Sequence, residues 1–384
     1  LTQAAFDING RAAVGSAIAL GTLGVLSFIV QPALVQGFVA HLGLSEPAAV
    51  NLAGLEMLGV AIATIFLAIP GMNMNMRRSL AVGIVLAVIG NLASAVMVDS
   101  PLLWFPRLIA GLGHGAIISL SFTFIGLTKR VERNVALYLV SLLTYGAFGL
   151  WAMPILLDAI GPSGLFLIFA TLSVLGLFTI DKVPSSVSAR EAAGPSARQL
   201  AIPLLATALL GVLIYNLAQG IAWAILFLIG IDAGIGEQDV ANTLFISQIF
   251  AVIGAIGSVF LSERLGRWGA IAFGILAGAA CIALLLDRPD YSFFLVGVCG
   301  FNLLWNFVLP FILATVGDFD LRGRMMSPAI AMQMLGLGGG PLLAAQLISD
   351  GTYRSAELVC ISFFLASYVL LTIPMFRHRQ ILTA

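Results

Sequence analysis

The chain has 384 residues, 60% of them hydrophobic and 9% charged, with 18 basic and 18 acidic side chains and a formal net charge of zero. A soluble domain carries about 25% charged residues, so this composition excludes one, and the 41 glycines and 15 prolines exclude a long soluble coiled coil. Uncharged runs of membrane length, about 20 residues, recur from one end to the other, and they predict an all-α polytopic membrane protein.

In chain order, the charge gaps place spans at residues 14–38, 47–70, 79–98, 102–128, 134–157 and 162–180, then at 200–229, 240–262, 268–286, 291–317, 326–349 and 357–376. The tally is twelve transmembrane helices in two six-helix bundles. Between the sixth and seventh spans lies DKVPSSVSAREAAGPSAR, Asp181 to Arg198, whose Pro, Ser and charge content reads as a loop. The expected domains are an amino-terminal bundle (residues 1–180), a linker (181–199) and a carboxy-terminal bundle (200–384). No cleavable signal is expected before the first span, and the opening Leu implies a few preceding residues. Cys281, Cys299 and Cys360 fall in apolar spans and offer neither metal spacing nor a disulfide framework.

Charge position sets the orientation. With both termini cytoplasmic, the inner side holds Arg11, Arg77, Arg78, Lys129, Arg130, Arg133, Lys182, Arg190, Arg198, Arg264, Arg267, Arg322, Arg324, Arg377 and Arg379, whereas the outer connections hold only Arg288 and Arg354. Basic residues concentrate on the cytoplasmic side of membrane proteins, so the expected location is a bacterial inner membrane with both termini inside.

Embedded ionisable residues are scarce and therefore informative. Glu56 sits about ten residues from either polar end of the second span, where an isolated charge costs several kcal/mol unless it is neutral, paired or facing a polar cavity. Such a carboxyl can exchange a proton as its access to water changes, or serve as a structural partner of an arginine. Arg107 and His114 lie seven residues apart on nearly one face of the fourth span, with Gly111 between them. Arg107 can hold a substrate carboxylate or a membrane carboxylate such as Glu56, and His114 can relay protons or make one interhelical hydrogen bond.

Other polar groups gather in four helices. Ser27 and Gln31 share a face of helix 1 just before Pro32. Helix 7 displays Tyr215, Asn216, Gln219 and Trp223; helix 10 has Asn302, Trp305 and Asn306; and helix 11 carries Gln333 before Gly336, Gly338, Gly339 and Gly340. Each residue alone fits interhelical packing, but their concentration beside helix-breaking positions suits a water-accessible binding cavity. Helices 3 and 9 have few cavity-forming polar groups and read as peripheral scaffold.

At this point the chain resembles the major facilitator superfamily across essentially all twelve spans. Leu103, Arg107, Gly111, Gly113 and Gly115 reproduce the family's Leu-x3-Arg-x3-Gly-x-Gly-x-Gly pattern in helix 4. Glu263-Arg264-Leu265-Gly266-Arg267 resembles its cytoplasmic loop signature, and Arg322-Gly323-Arg324 a cytoplasmic gate element. The first-half copy departs from the pattern: in MNMNMRRSL, Asn73, Met74 and Met76 replace the acidic, arginine and glycine positions and leave Arg77 and Arg78. The resemblance implies a rocker-switch carrier with its substrate between the bundles, fed by helices 1, 4, 7 and 10, and gated by Arg77, Arg78, Glu263, Arg264, Arg267, Arg322 and Arg324.

The expectation is therefore a proton-coupled secondary transporter of a small organic compound, with a preference for an organic anion through Arg107. Glu56 and His114 would handle protons, and Gln31, Arg107, His114 and the polar residues of helices 7, 10 and 11 would line the substrate site. It would work as a monomer in the lipid bilayer. Proton-antiport efflux of lipophilic compounds and a nontransporting scaffold with a carrier fold are the alternatives. The sequence shows no nucleophile and base constellation, metal-ligand cluster or phosphate-cradling loop, so no enzymatic activity, cofactor or nucleic-acid partner is expected.

Overall fold

The computed structural model describes residues 7–68, 75–184, 201–319, 325–349 and 352–383. Helix α1 spans residues 11–42 in three pieces, Arg11–Gly24, Leu26–Ile29 and Gln31–Leu42. Its second break precedes Pro32, which stands in the first turn of the last piece. Proline has no amide hydrogen to give the preceding turn, but its fixed φ suits a helix start. Three uninterrupted helices follow: α2 (Glu46–Leu67), α3 (Met76–Val96) and α4 (Trp104–Gly126). The run Val131–Leu175 contains α5 (131–160) and α6 (162–175), folded back at Gly161, and a 3-10 turn over Gly176–Lys182 continues α6. Helix α7 is Ile202–Asp232, and Glu237–Ala283 contains α8 (237–265) and α9 (267–283), folded at Gly266. The chain finishes with α10 (Tyr291–Asp318), α11 (Met326–Leu347) and α12 (Arg354–Thr383). Gly161 and Gly266 have φ of 65° and 60°, in a left-handed region that costs residues with a Cβ about 1–2 kcal/mol.

Ten stretches among the described residues are long and apolar enough to cross a bilayer. One of them, Arg133–Lys182, folds at Gly161 into two crossings, and the broken α1, whose pieces are individually too short, supplies the remaining one. Twelve crossings result, as the charge gaps predict. Helix ends lie within a few residues of the expected ones except at α12, which continues to Thr383 and carries Arg377 and Arg379 on a helix. The expected linker lies outside the described residues from position 185 to 199.

Helix α3 illustrates how a membrane helix is read. Val82, Val85, Ile89, Leu92 and Val96 form an exposed apolar stripe at helical spacing, while Leu80, Ile84, Ala87, Asn91 and Ser94 are buried on the other side. A helix apolar on its exposed face has lipid rather than water as its solvent.

The packing distinguishes two ends of the molecule. An even number of crossings puts residue 11 and residue 383 on one face, called here the terminal face; the other is the far face. One apolar core runs continuously from the carboxy-terminal bundle into the far half of the amino-terminal bundle, through Leu26, Val30, Phe38, Val50, Leu157, Ile225 and Leu226. The terminal half of the amino-terminal bundle has a core of its own, built on Ala17, Leu20, Leu80, Ile84, Ile117 and Phe124. The named contacts between bundles fall at mid-depth or toward the far face. A Cβ on Gly54 of α2 would meet Leu342 of α11 at 2.7 Å, and one on Gly338 would meet the Met57 carbonyl at 2.8 Å. Phe148 and Phe245 stack edge to face at 5.8 Å, and Gln238 Nε2 donates to the Trp151 carbonyl at 3.2 Å. Among the described residues, the shared core lies toward the far face, while the terminal half of the amino-terminal bundle packs on a core of its own.

Candidate functional site

The glycine spacing of α4 sets the site's geometry. A Cβ on Gly111 would lie 2.0 Å from the Glu56 carbonyl oxygen, and one on Gly115 would lie 2.4 Å from that of Val60. A Cβ on Gly113 would lie 2.3 Å from the Ala87 amide nitrogen of α3. Residues 111 and 115 therefore seat α2, and residue 113 seats α3, with backbones nearly touching, in the manner of small-residue membrane interfaces.

This close approach brings Glu56, Arg107 and His114 together. Arg107 is fully buried, Glu56 is 3% exposed and His114 1%. Arg107 Nη2 donates to Glu56 Oε2 and to Ser27 Oγ at 3.2 Å. Its Nη1 donates to Asn91 Oδ1 at 2.9 Å and to Ser94 Oγ at 3.4 Å. The guanidinium lies 4.5 Å above the Phe166 ring centroid, a cation-π contact that replaces some of the lost hydration. His114 Nδ1 stands 3.2 Å from Glu56 Oε1. A carboxylate can only accept, so Nδ1 carries the hydrogen there; Nε2 has no partner among the described residues. One arginine thus ties α1, α2, α3 and α6 to α4.

Helix α1 carries the network toward the other bundle. Its breaks free backbone carbonyls, which must find other donors away from water. Tyr145 of α5 donates to the Leu26 carbonyl at 2.6 Å, and Trp223 Nε1 of α7 donates to that of Phe28 at 3.1 Å. Ser27, between these two, accepts from Arg107. Trp223 meets Trp305 edge to face at 5.9 Å, and Trp305 meets Phe301 at 5.9 Å. Behind Trp305, Asn302 Nδ2 donates to Ser247 Oγ at 3.1 Å and Asn306 Nδ2 to the Asn302 carbonyl at 2.9 Å.

The remaining predicted residues are more scattered. Gln31 is buried at the start of the last piece of α1, with its Nε2 unpartnered among the described residues, and Gln333 is 9% exposed on α11. Gln219 donates to the Tyr215 hydroxyl at 2.6 Å, and Tyr215 packs edge to face on Phe364 of α12. Asn216 returns its Nδ2 to the Val212 carbonyl and lies against Gly336. Tyr215 and Asn216 thus face their own bundle, and Trp223 is the member of the helix 7 group that reaches across.

At the terminal face, Arg77 donates to the carbonyls of Asp181 and Val183, at 2.9 Å and 2.8 Å, clamping α3 to the end of α6. It holds its own bundle together. Arg78, Arg264 and Arg267 are exposed. Arg322 and Arg324, and the side chain of Glu263, lie outside the described residues.

One expectation is corrected outright: α3 is not peripheral scaffold. Its Asn91 and Ser94, both fully buried, complete the shell of Arg107. The available signal was a polar pair three residues apart in an otherwise apolar helix. Tyr145 was missed because its acceptor is a backbone carbonyl, which no side-chain pattern announces. Glu357 was missed because it opens the last predicted span and reads as a helix-terminal acid; it is only 3% exposed.

Residues 16–320 match the model of the Major Facilitator Superfamily. The chain belongs to this superfamily. As a major facilitator it is a membrane-embedded secondary transporter, not an enzyme. A comparison with curated protein sequences finds no match. Among solved structures, a variant of the nucleoside transporter NupG is similar with a TM-score of 0.73 at 13% identity, covering 94% of this chain and 99% of the other. The D-xylose-proton symporter is similar at 0.72 and 15%, covering 94% and 96%. FucP, a major facilitator solved in its outward conformation, gives 0.59 at 17%, covering 94% and 98%.

Proposed function

We propose that this major facilitator couples proton movement to transport of a small, polar, uncharged organic compound by alternating access, with its terminal face in the cytoplasm of a bacterial inner membrane. The observation that carries the reading is the path from Glu56 through Arg107 and Ser27 to the broken segment of α1, and from Phe28 to Trp223 in the other bundle. A protonation change at Glu56 or His114 would alter the grip of Arg107 on Ser27, and that serine lies in the piece of α1 that touches both bundles.

The substrate preference shifts from the anion expected from sequence. Arg107 is fully enclosed, and Glu56, Ser27, Asn91 and Ser94 occupy its Nη donors, while its Nε is buried without a partner among the described residues. Trp223 reaches α1 across the bundles, and the other groups assigned to the substrate site, the amides of Gln31, Asn306 and Gln333 and the indole of Trp305, suit hydroxyl-rich or amide-bearing compounds. The similar solved structures include transporters of a nucleoside and a sugar, which supports the same choice. The basic bias toward the terminal face supports the orientation.

The coupling test is accumulation in proteoliposomes. Glu56→Gln is expected to abolish uptake driven by a pH gradient while leaving substrate exchange in place. Full gradient-driven accumulation by this variant would defeat the coupling reading.

A further inference from the structure

The far face of the carboxy-terminal bundle holds a second constellation, separate from the network just described. A cavity of about 370 Å³ opens between the end of α7, the α9–α10 connection and the start of α12. Its size falls within the range of small-ligand pockets, about 300–1,000 Å³. Two ion pairs stand around it. Arg288 holds Asp232 bidentately, at 3.0 Å from Nε and 2.9 Å from Nη2, and Arg354 holds Asp287 at 2.6 Å. The hydrogen bond to Asp232 raises the pKa of Arg288 above its ordinary value. Each arginine is matched by one aspartate.

Glu357 is the carboxylate left over. It lines the same cavity, it is almost completely buried, and its carboxyl group makes no hydrogen bond or ion pair with any described residue. A buried carboxylate with no partner is costly, and this one opens into a space large enough for a ligand. Among the described lining residues, two arginines match two aspartates and leave the Glu357 carboxyl with no cation of its own.

We propose that this cavity binds a small organic cation through a primary ammonium head placed on Glu357. The choice of ammonium over a metal ion follows from the donor set. Calcium needs six to eight oxygen ligands and magnesium near-ideal octahedral geometry, and no group of three or more His, Cys, Asp or Glu among the described residues is placed to hold a metal. An ammonium brings three N–H donors. Glu357 accepts from it, and the Thr352 hydroxyl, which takes only a long bond of 3.5 Å from the Arg354 amide, has a second lone pair to offer. Ile229 and Leu285 give the alkyl part an apolar wall.

The test uses the full-length carrier purified in detergent, titrated with n-propylammonium chloride and followed by thermal unfolding. A ligand that binds only the folded protein raises its unfolding temperature in a saturable way. Saturable stabilisation by n-propylammonium is expected, with none from tetramethylammonium, which has no N–H donor, or from sodium at equal ionic strength. Glu357→Gln should remove the effect, and Thr352→Val should weaken affinity by about tenfold, the loss expected for one hydrogen bond to a charged group. If Glu357→Gln does not fold, Glu357→Asp, which keeps the charge but shortens the reach, should weaken affinity instead. Glu56→Gln should leave binding intact, which separates this site from the coupling network. Stabilisation equal with sodium, or unchanged in the Glu357 and Thr352 variants, would overturn the proposal.

Discussion

The two bundles share a packing device and differ in what they place beside it. In the amino-terminal bundle, a Cβ on Gly111 of α4 would lie 2.0 Å from the backbone carbonyl of Glu56 on α2; in the carboxy-terminal bundle, a Cβ on Gly254 of α8 would lie 2.0 Å from that of Leu303 on α10. Both contacts bring helix backbones as close as glycine allows. Around the first sit an arginine, a glutamate and a histidine. Near the second sit Ser247, Asn302 and Asn306, which bond through neutral amides and a hydroxyl. The same glycine packing therefore stands beside different chemistry, an ionic network in one bundle and uncharged polar groups in the other.

This contrast can be broken most decisively at Arg107. Arg107→Leu would leave Glu56 buried without its main partner, and removing one member of a buried pair costs about 3–5 kcal/mol. A fall of that size in unfolding free energy, with loss of transport, is expected. A loss no larger than that of Asn302→Leu, expected near 1 kcal/mol for a neutral hydrogen bond, would erase the asymmetry. Next in size come Gly111→Ala and Gly254→Ala. Both force a methyl group against backbone, at about 1–3 kcal/mol each, and thermal unfolding should rank them as equals. A much larger effect at Gly111 would show that the ionic network, not the packing, sets its tolerance. The smallest effect is expected at the link between the halves. Trp223→Phe removes the hydrogen bond to the Phe28 carbonyl, at about 1 kcal/mol, and should shift the access equilibrium toward a state open at the far face. Accessibility of single cysteines placed on the two faces would report the shift, and unchanged labelling would show that the bond does not track access.

Much of the fold was legible because lipid imposes a coarse rule: charge-free lengths had to be helices, and Pro32 beside Ser27 and Gln31 foretold the broken α1. Glu56 and Arg107 stood out for the same reason, since a charge at membrane depth needs a partner. Which partner was not legible, because Ser94, Asn91 and Phe166 reach Arg107 from helices whose order around the bundle the sequence does not state. Tyr145 and Trp223 bond to main-chain oxygens freed by a local break, an acceptor that every residue possesses and no residue type reveals. The glycines of α11 could be read as a hinge or as packing; the unbroken helix from Met326 to Leu347, with Gly336 and Gly340 against α7 and Gly338 against α2, shows packing.

The core that continues across both bundles toward the far face also sets what any opening on that side must cost. Parting the bundles there would bare Leu26, Val30, Phe38, Ile225 and Leu226, at about 25 cal/mol for each Å² of apolar surface brought to water. Whatever favours the opposite state of the carrier has to offset that exposure.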